Sequence, residues 1–396
     1  MLDGHVHPDF WQVARMLRRL VPRSGRAGAA VCVYHRGECV VDLWAGERDS
    51  AGRPWQQDTV SLSYSTGKGV LVTLLHVLVD HGLAHYDAPV CRYWPEFGHH
   101  GKEAITLRQL LCHEAGLYHI GDMLDDARRM LDWSYMVETL ERSSPIHPPG
   151  QDHGYHALTF GWLVGELIQR IGQAPLQELL ARELADPLGL DGLYIGLPES
   201  QMSRRAELVE GRLGVDARGR SRTRRRAELI GRGLRMGGVT VDSQALRSAL
   251  LPAGIESLDW NEHAVASAMI PAVNGTFTAR ALARLYAALA AGGSLDGVRL
   301  LSRETLSTAT EIQSRRLGRV IPLPMHWRLG YHRIPALRVR LPHAFGHFGI
   351  GGSGAWADPD RNLAVALVLN TGMGTPFGDT RIIRIGSVAA AAASNR

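Results

Sequence analysis

The stretch that most constrains this 396-residue chain is Val70 to Val79, where Val70, Leu71, Val72, Leu74, Leu75, Val77, Leu78 and Val79 leave almost no polar face. A helix that is apolar all round is covered by protein on every side rather than laid on a surface. The remaining chain therefore has to wrap around this segment, and its length suffices for one large core or two lobes. Polar, cap-type residues (Asp58-Thr59-Val60-Ser61-Leu62-Ser63-Tyr64) lead into the run and His81-Gly82 closes it, so both helix ends are marked.

Ser65 stands at the mouth of this helix, and Lys68 follows three residues later, about one turn away on the same face. A serine hydroxyl is a weak nucleophile until a neighbouring base takes its proton, and a neutral lysine is such a base. Composition sharpens the point. Lysine and arginine total 44, yet Lys68 and Lys102 are the only lysines. Arginine keeps its proton in a protein, whereas a desolvated lysine gives it up. The spacing also fits a helix-capping serine with an incidental lysine in the first turn, although the helix dipole disfavours a cation there.

Two further stretches supply what a serine–lysine pair needs. Tyr155, in Gly154-Tyr155-His156-Ala157-Leu158-Thr159, precedes a strongly apolar helix over 158–171. A phenol held there relays a proton to a leaving group; the alternative is a tyrosine that only packs. The edge His347-Phe348-Gly349-Ile350-Gly351-Gly352-Ser353 is rich in glycine, which lets backbone approach a substrate closely. An N–H from that edge, with the N–H of Ser65, makes an oxyanion hole.

Around these, periodicity predicts an amphipathic helix from Phe10 to Leu20 and a hairpin of Gly28–Tyr34 with Cys39–Leu43. Helices are expected over 105–113, 131–140, 158–171 and 279–290. Strands are expected over 326–333, 354–358 and 363–370, with a turn at Asp358-Pro359-Asp360-Arg361-Asn362. Strands at both ends with helices between them predict an α+β fold, an α/β sandwich whose antiparallel sheet is built from both termini. The expected division is an α/β domain of residues 1–64 and 240–396, a mostly helical domain of residues 65–239, and an active site between them.

Together these residues resemble the serine β-lactamase and penicillin-binding-protein superfamily, and most of all its family VIII carboxylesterases and β-lactamase-domain serine hydrolases. Ser65-x-x-Lys68 matches the first motif and Tyr155 the tyrosine of Tyr-x-Asn. His347-Phe348-Gly349 stands where the lactamases carry Lys-Thr-Gly. Trp55-Gln56-Gln57-Asp58-Thr59, Leu110-Leu111-Cys112-His113-Glu114-Ala115-Gly116-Leu117, Pro149-Gly150 and Thr278-Ala279-Arg280 extend the likeness over about residues 25 to 370. The resemblance implies a β-lactamase/transpeptidase-like fold and an acyl-enzyme on Ser65, with Lys68 and Tyr155 as proton-transfer groups. It implies Ile350 as second oxyanion donor, Gly351 if the register slips by one, and His347 and Gly349 against the substrate. Two departures, Ala157 for the Asn and His347 for the Lys, favour a carboxylesterase of short acyl esters. The alternatives are a β-lactamase, D-amino-acid peptidase or acyltransferase on the same serine, or a sensor that acylates once.

Other signals point away from other classes. Gly349-Ile350-Gly351-Gly352-Ser353-Gly354 fits G-x-G-x-x-G but does not open a helix early in a βαβ unit. The 18 histidines include no H-E-x-x-H and no cysteine partner, so no metal and no cofactor are expected. The arginine-rich stretch 204–235 lacks interleaved aromatics and reads as a surface excursion, not a nucleic-acid site. The substrate pocket is expected from loops around Met123–Trp133 and Ser200–Gly238. No apolar run reaches membrane-spanning length and no signal peptide is visible, so the expected setting is cytoplasmic, with a small-molecule ester, amide or lactam as partner. The four cysteines form no C-x-x-C pair, and Cys32 and Cys39 are either buried thiols or a cross-strand disulfide.

Overall fold

In a computed structural model, which describes residues 2–21, 27–209, 242–371, 379–394 and 396, the two ends of the chain share one sheet. Its seven antiparallel strands run, edge to edge, Leu2–Val6, Glu38–Gly46, Gly28–His35, Leu363–Leu369, Gly354–Asp358, Phe345–Phe348 and His332–Arg333. The N-terminal hairpin joins the C-terminal strands where Val33 faces Val365 and Val31 faces Leu367.

Alternation along these strands explains the layers. Val31, Val33, Val365 and Leu367 point to one face, where the Trp11–Leu20 and Arg381–Ser394 helices cover them. Ala30, Cys32, Ala364 and Ala366 point to the other, and small side chains there let the Ala279–Ala290 helix lie close. A strand covered on both faces reads as a continuous apolar run, as Leu363–Leu369 does.

The Thr66–Asp80 helix is buried from Thr66 to Leu78. The Phe160–Gly172 helix, the Arg303–Thr310 helix and the sheet edge pack against it, and Tyr286 of the Ala279–Ala290 helix reaches it. Gly69 marks the tightest approach, since a Cβ there would lie 2.1 Å from Tyr286 Oη. Of the helix's polar side chains, Thr73 Oγ1 pairs with Tyr331 Oη at 2.7 Å and His76 Nε2 with the Leu329 carbonyl at 3.0 Å, while the buried Thr66 Oγ1 has no partner among the described residues.

The expected helices are present at Trp11–Leu20, Leu107–Leu111, Trp133–Arg142, Phe160–Gly172 and Ala279–Ala290. The strand expected over 326–333 shrinks to His332–Arg333. His326 (φ 46°) and Gly330 (φ 82°) adopt left-handed backbone, and the Gly330 N–H turns away to Leu111 O at 3.1 Å. Cys32 and Cys39 are free thiols with their sulfurs 3.7 Å apart. Arg204 is paired with Asp191 at 2.8 Å, while residues 210–241, with most of the arginine-rich stretch, lie outside the described residues. Among the described residues no helix is long and apolar enough to cross a membrane.

Candidate active site

The strand Ser61–Leu62 feeds the nucleophile turn. It pairs with Gly275–Phe277, and the Ser63 N–H donates to Gly275 O at 2.8 Å. Tyr64 then takes a left-handed backbone (φ 48°), reversing the chain so that Ser65 opens the buried helix. The Ser65 hydroxyl makes no capping bond to that helix; it lies 2.9 Å from Lys68 Nζ. The capping alternative is thereby set aside.

Lys68 is fully buried, and its Nζ donates to the carbonyls of Ala157 at 2.8 Å and Ala272 at 3.1 Å. Burial, which penalises the ammonium, holds this amine well below the usual lysine range. A neutral amine has two N–H groups and one lone pair. Nζ donates to Ser65 Oγ as well as to the two carbonyls; once the amine has given up one proton, the carbonyls keep both remaining N–H groups and the lone pair is left for the Ser65 hydroxyl. Both carbonyls escape motif reading because backbone groups carry no residue code. Ala157, where the resemblance calls for an Asn side chain, contributes through its backbone.

Tyr155 lines the same cavity as Ser65, and its ring centroid lies 5.0 Å from Lys68 Nζ. Burial raises the Tyr155 pKa, outweighing the opposing effect of the nearby Ser65, so the phenol stays protonated. Its ring stacks on Trp327 (centroids 5.6 Å apart, planes at 13°) and meets the His113 ring edge-on at 5.0 Å. His113 also brackets the tyrosine: its carbonyl accepts from Gly154 N–H at 3.1 Å and its Nδ1 from His156 N–H at 3.2 Å. Sequence reasoning assigned neither aromatic neighbour a role. His113 lay in a stretch already noted for its resemblance, whereas Trp327 sat in a run read as strand.

Strand Phe345–Phe348 forms the third wall. Residues 349–353 turn between it and Gly354–Asp358, so the G-x-G-x-x-G run joins two antiparallel strands and opens no helix. A Cβ on Gly349 would sit 2.3 Å from Ser63 O, so this glycine lets the strand end close on the nucleophile turn, and it also lines the cavity at Ser65. Ile350 borders the same cavity as Ser65, and neither N–H has a partner among the described backbone hydrogen bonds. Gly351 does not line that cavity, and its carbonyl accepts from Arg381 Nη2 at 3.1 Å. His347 donates from Nδ1 to Phe348 O at 3.2 Å, which leaves its buried Nε2 as an acceptor without a protein partner. Burial first, then His332 and Lys68, hold its pKa well below the ordinary histidine value.

The cavity at Ser65 has a volume of about 190 Å³. Its far wall comes from residues 246–250 and 320–327, not from Met123–Trp133 as expected; of the 200–238 loop only residues up to 209 are described, and they do not line it. Among the described residues no group of three or more His, Cys, Asp or Glu side chains is arranged to hold a metal ion. The second lysine qualifies the lysine count: Lys102 is buried and donates to Glu141 O at 2.8 Å and Ser143 O at 2.5 Å, at the C-terminal end of the Trp133–Arg142 helix. A compact cation at a helix C-terminus is stabilising, so lysine is retained there for structure and not for proton transfer.

Fold and site together define a serine hydrolase of the beta-lactamase family. The chain belongs to that family, whose model matches residues 13–390. Among its relatives, the esterase/beta-lactamase LipL of Mycobacterium tuberculosis is 38% identical over 372 residues, 93% of this chain and 82% of the relative. A family VIII carboxylesterase structure superposes with a TM-score of 0.84 at 32% identity, covering 99% of this chain and 100% of that one. A penicillin-binding protein homologue from Caulobacter crescentus superposes with a TM-score of 0.86 at 32% identity, with the same coverage. The fold is thus β-lactamase/transpeptidase-like, with its antiparallel sheet flanked by helices.

Proposed function

We propose that this protein is a carboxylesterase that works through an acyl-enzyme on Ser65. The observation that carries the reading is the Ser65 hydroxyl placed 2.9 Å from a fully buried Lys68 amine, on a cavity that Tyr155 also lines. Lys68 takes the hydroxyl proton as Ser65 Oγ bonds to the ester carbonyl carbon. The oxyanion lies between the N–H groups of Ser65 and Ile350, with Gly351 as the alternative second donor. Collapse breaks the bond to the alcohol oxygen, Tyr155 protonates that oxygen, and the Lys68 ammonium returns a proton to Tyr155. Water then attacks the acyl carbon, giving its proton to the same relay, and Ser65 leaves with a proton restored. The sum is ester plus water giving acid plus alcohol.

Ester over lactam or D-peptide is supported by His347, which is held neutral where Lys-Thr-Gly sequences place a lysine, and by Ala157, which offers no side-chain amide. The names of the esterase/beta-lactamase relative and of the carboxylesterase neighbour agree with this choice. The proposal includes a small-molecule substrate without nucleic acid, a sheet lobe of residues 1–64 and 240–396 against a helical lobe of residues 65–239, and a cytoplasmic setting. That setting is supported by a low cysteine content without C-x-x-C pairs. The test is a time course of 4-nitrophenyl butyrate hydrolysis by wild type and Ser65→Ala. Sustained release that falls more than a hundredfold in the folded variant is expected. One equivalent followed by silence would make the protein an acylation sensor, and activity within tenfold in Ser65→Ala would remove Ser65 as nucleophile.

A further inference from the structure

The cavity beside Ser65 is more specific than the reaction requires. Leu246, Leu250, Val320, Leu323, Met325 and Trp327 build its far wall, and among the described residues no arginine or lysine lines it. Apolar cavities of about 150 Å³ hold a six-carbon ring. By that scale the 190 Å³ here takes an apolar group of about six to eight heavy atoms. The cavity's described polar side chains include Ser65, Tyr155, His332 and His347, with the His347 Nε2 atom itself buried. A carboxylate brought against the far wall would lose its water and meet no arginine or lysine among the described residues.

The geometry points to a pocket for the acyl half of the substrate: an uncharged, apolar acyl group of about six to eight carbons, with acyl groups carrying a carboxylate refused. The acyl half is assigned because it stays bonded to Ser65 until water arrives. The alcohol must leave and give way to that water, whereas the acyl chain can stay against the apolar wall throughout. This deepens the carboxylesterase reading and rests on it. Acetyl and butyryl groups also fit, but leave much of the wall uncovered.

The test uses the full chain and 4-nitrophenyl esters from acetate to dodecanoate. Each buried methylene strengthens binding about fourfold, so kcat/KM should rise at least tenfold from acetate to an optimum at hexanoate to octanoate, then fall. The mono-4-nitrophenyl ester of hexanedioic acid, matched in length to heptanoate, should be at least a hundredfold slower than heptanoate. Leu250→Trp, which narrows the wall, should lower the octanoate-to-acetate ratio at least tenfold. A series of alkyl acetates, varied only in the alcohol, should show a flat dependence on chain length. A flat acyl profile, an optimum that follows the alcohol instead, or a dicarboxylic monoester cleaved within threefold of heptanoate overturns the assignment. These outcomes all presuppose ester turnover; no turnover of any ester by wild type is the separate failure of the carboxylesterase reading.

Discussion

Replacing Lys68 with arginine separates charge from proton transfer. Arginine can still donate to the Ala157 and Ala272 carbonyls, which Lys68 Nζ reaches at 2.8 and 3.1 Å. What it cannot do is present a lone pair to Ser65 Oγ, now 2.9 Å from the amine, because guanidinium does not deprotonate in a protein. A positioned general base contributes about 100- to 10,000-fold, equivalent to roughly 3 to 5 kcal/mol of barrier. The larger side chain in a fully buried site should cost about 1 to 3 kcal/mol of stability. That leaves a protein of ordinary stability folded, and a thermal melt checks it. The assay is kcat/KM against pH on one activated ester. For wild type, activity should fall as pH drops and the amine takes a proton, with the limb well below the usual lysine range because burial disfavours the ammonium. Lys68→Arg should lose at least a hundredfold and also lose that limb. His347→Asn should keep it, which distinguishes the lysine from the other buried base near Ser65. A folded Lys68→Arg enzyme within tenfold of wild type would refute the base assignment.

Three other outcomes follow from the same geometry. Tyr155→Phe keeps the stack on Trp327 but removes the hydroxyl; the loss in kcat should be about a hundredfold or more, and larger for an alkyl ester than for a 4-nitrophenyl ester, whose alcohol leaves without a proton. Equal losses on both would count against proton donation to the leaving group. Gly349→Ala places a Cβ 2.3 Å from Ser63 O, so the nucleophile turn must shift. Melting temperature and kcat should both fall, the latter at least tenfold, and an unchanged kcat would contradict the close approach. Lys102→Met leaves the Glu141 and Ser143 carbonyls without their buried donor and should cost about 1 to 3 kcal/mol in denaturant unfolding. Activity per folded molecule should not change; a loss of activity without a loss of stability would give Lys102 a role not assigned to it.

Features that depend on side chains in sequence order were legible. The Thr66–Asp80 helix declares itself through its unbroken apolar circumference, and Ser65 with Lys68 through helical spacing. The sheet joined from both termini followed from strand-like apolar runs at each end of the chain. Features made by backbone, or by segments far apart in the chain, were not. The carbonyls of Ala157 and Ala272 hold Lys68, yet alanine gives no hint of it. The strand Leu2–Val6 is mostly exposed and lacks the apolar alternation that marks a half-buried strand. Trp327 reaches Tyr155 because left-handed turns at His326 and Gly330 fold a seemingly extended run into a loop. The cavity wall combines Leu246 and Leu250 with residues some seventy positions later, a pairing that no local pattern records.

The central claim is that Ser65 carries the acyl group during turnover. Rapid mixing with 4-nitrophenyl acetate, quenched in acid and followed by mass analysis of the intact chain and its peptides, tests it directly. The account predicts one acetyl group per chain, on the peptide containing Ser65, forming before steady state and decaying as substrate is exhausted, and absent from Ser65→Ala. Acetylation of another residue with unchanged turnover in Ser65→Ala would contradict it.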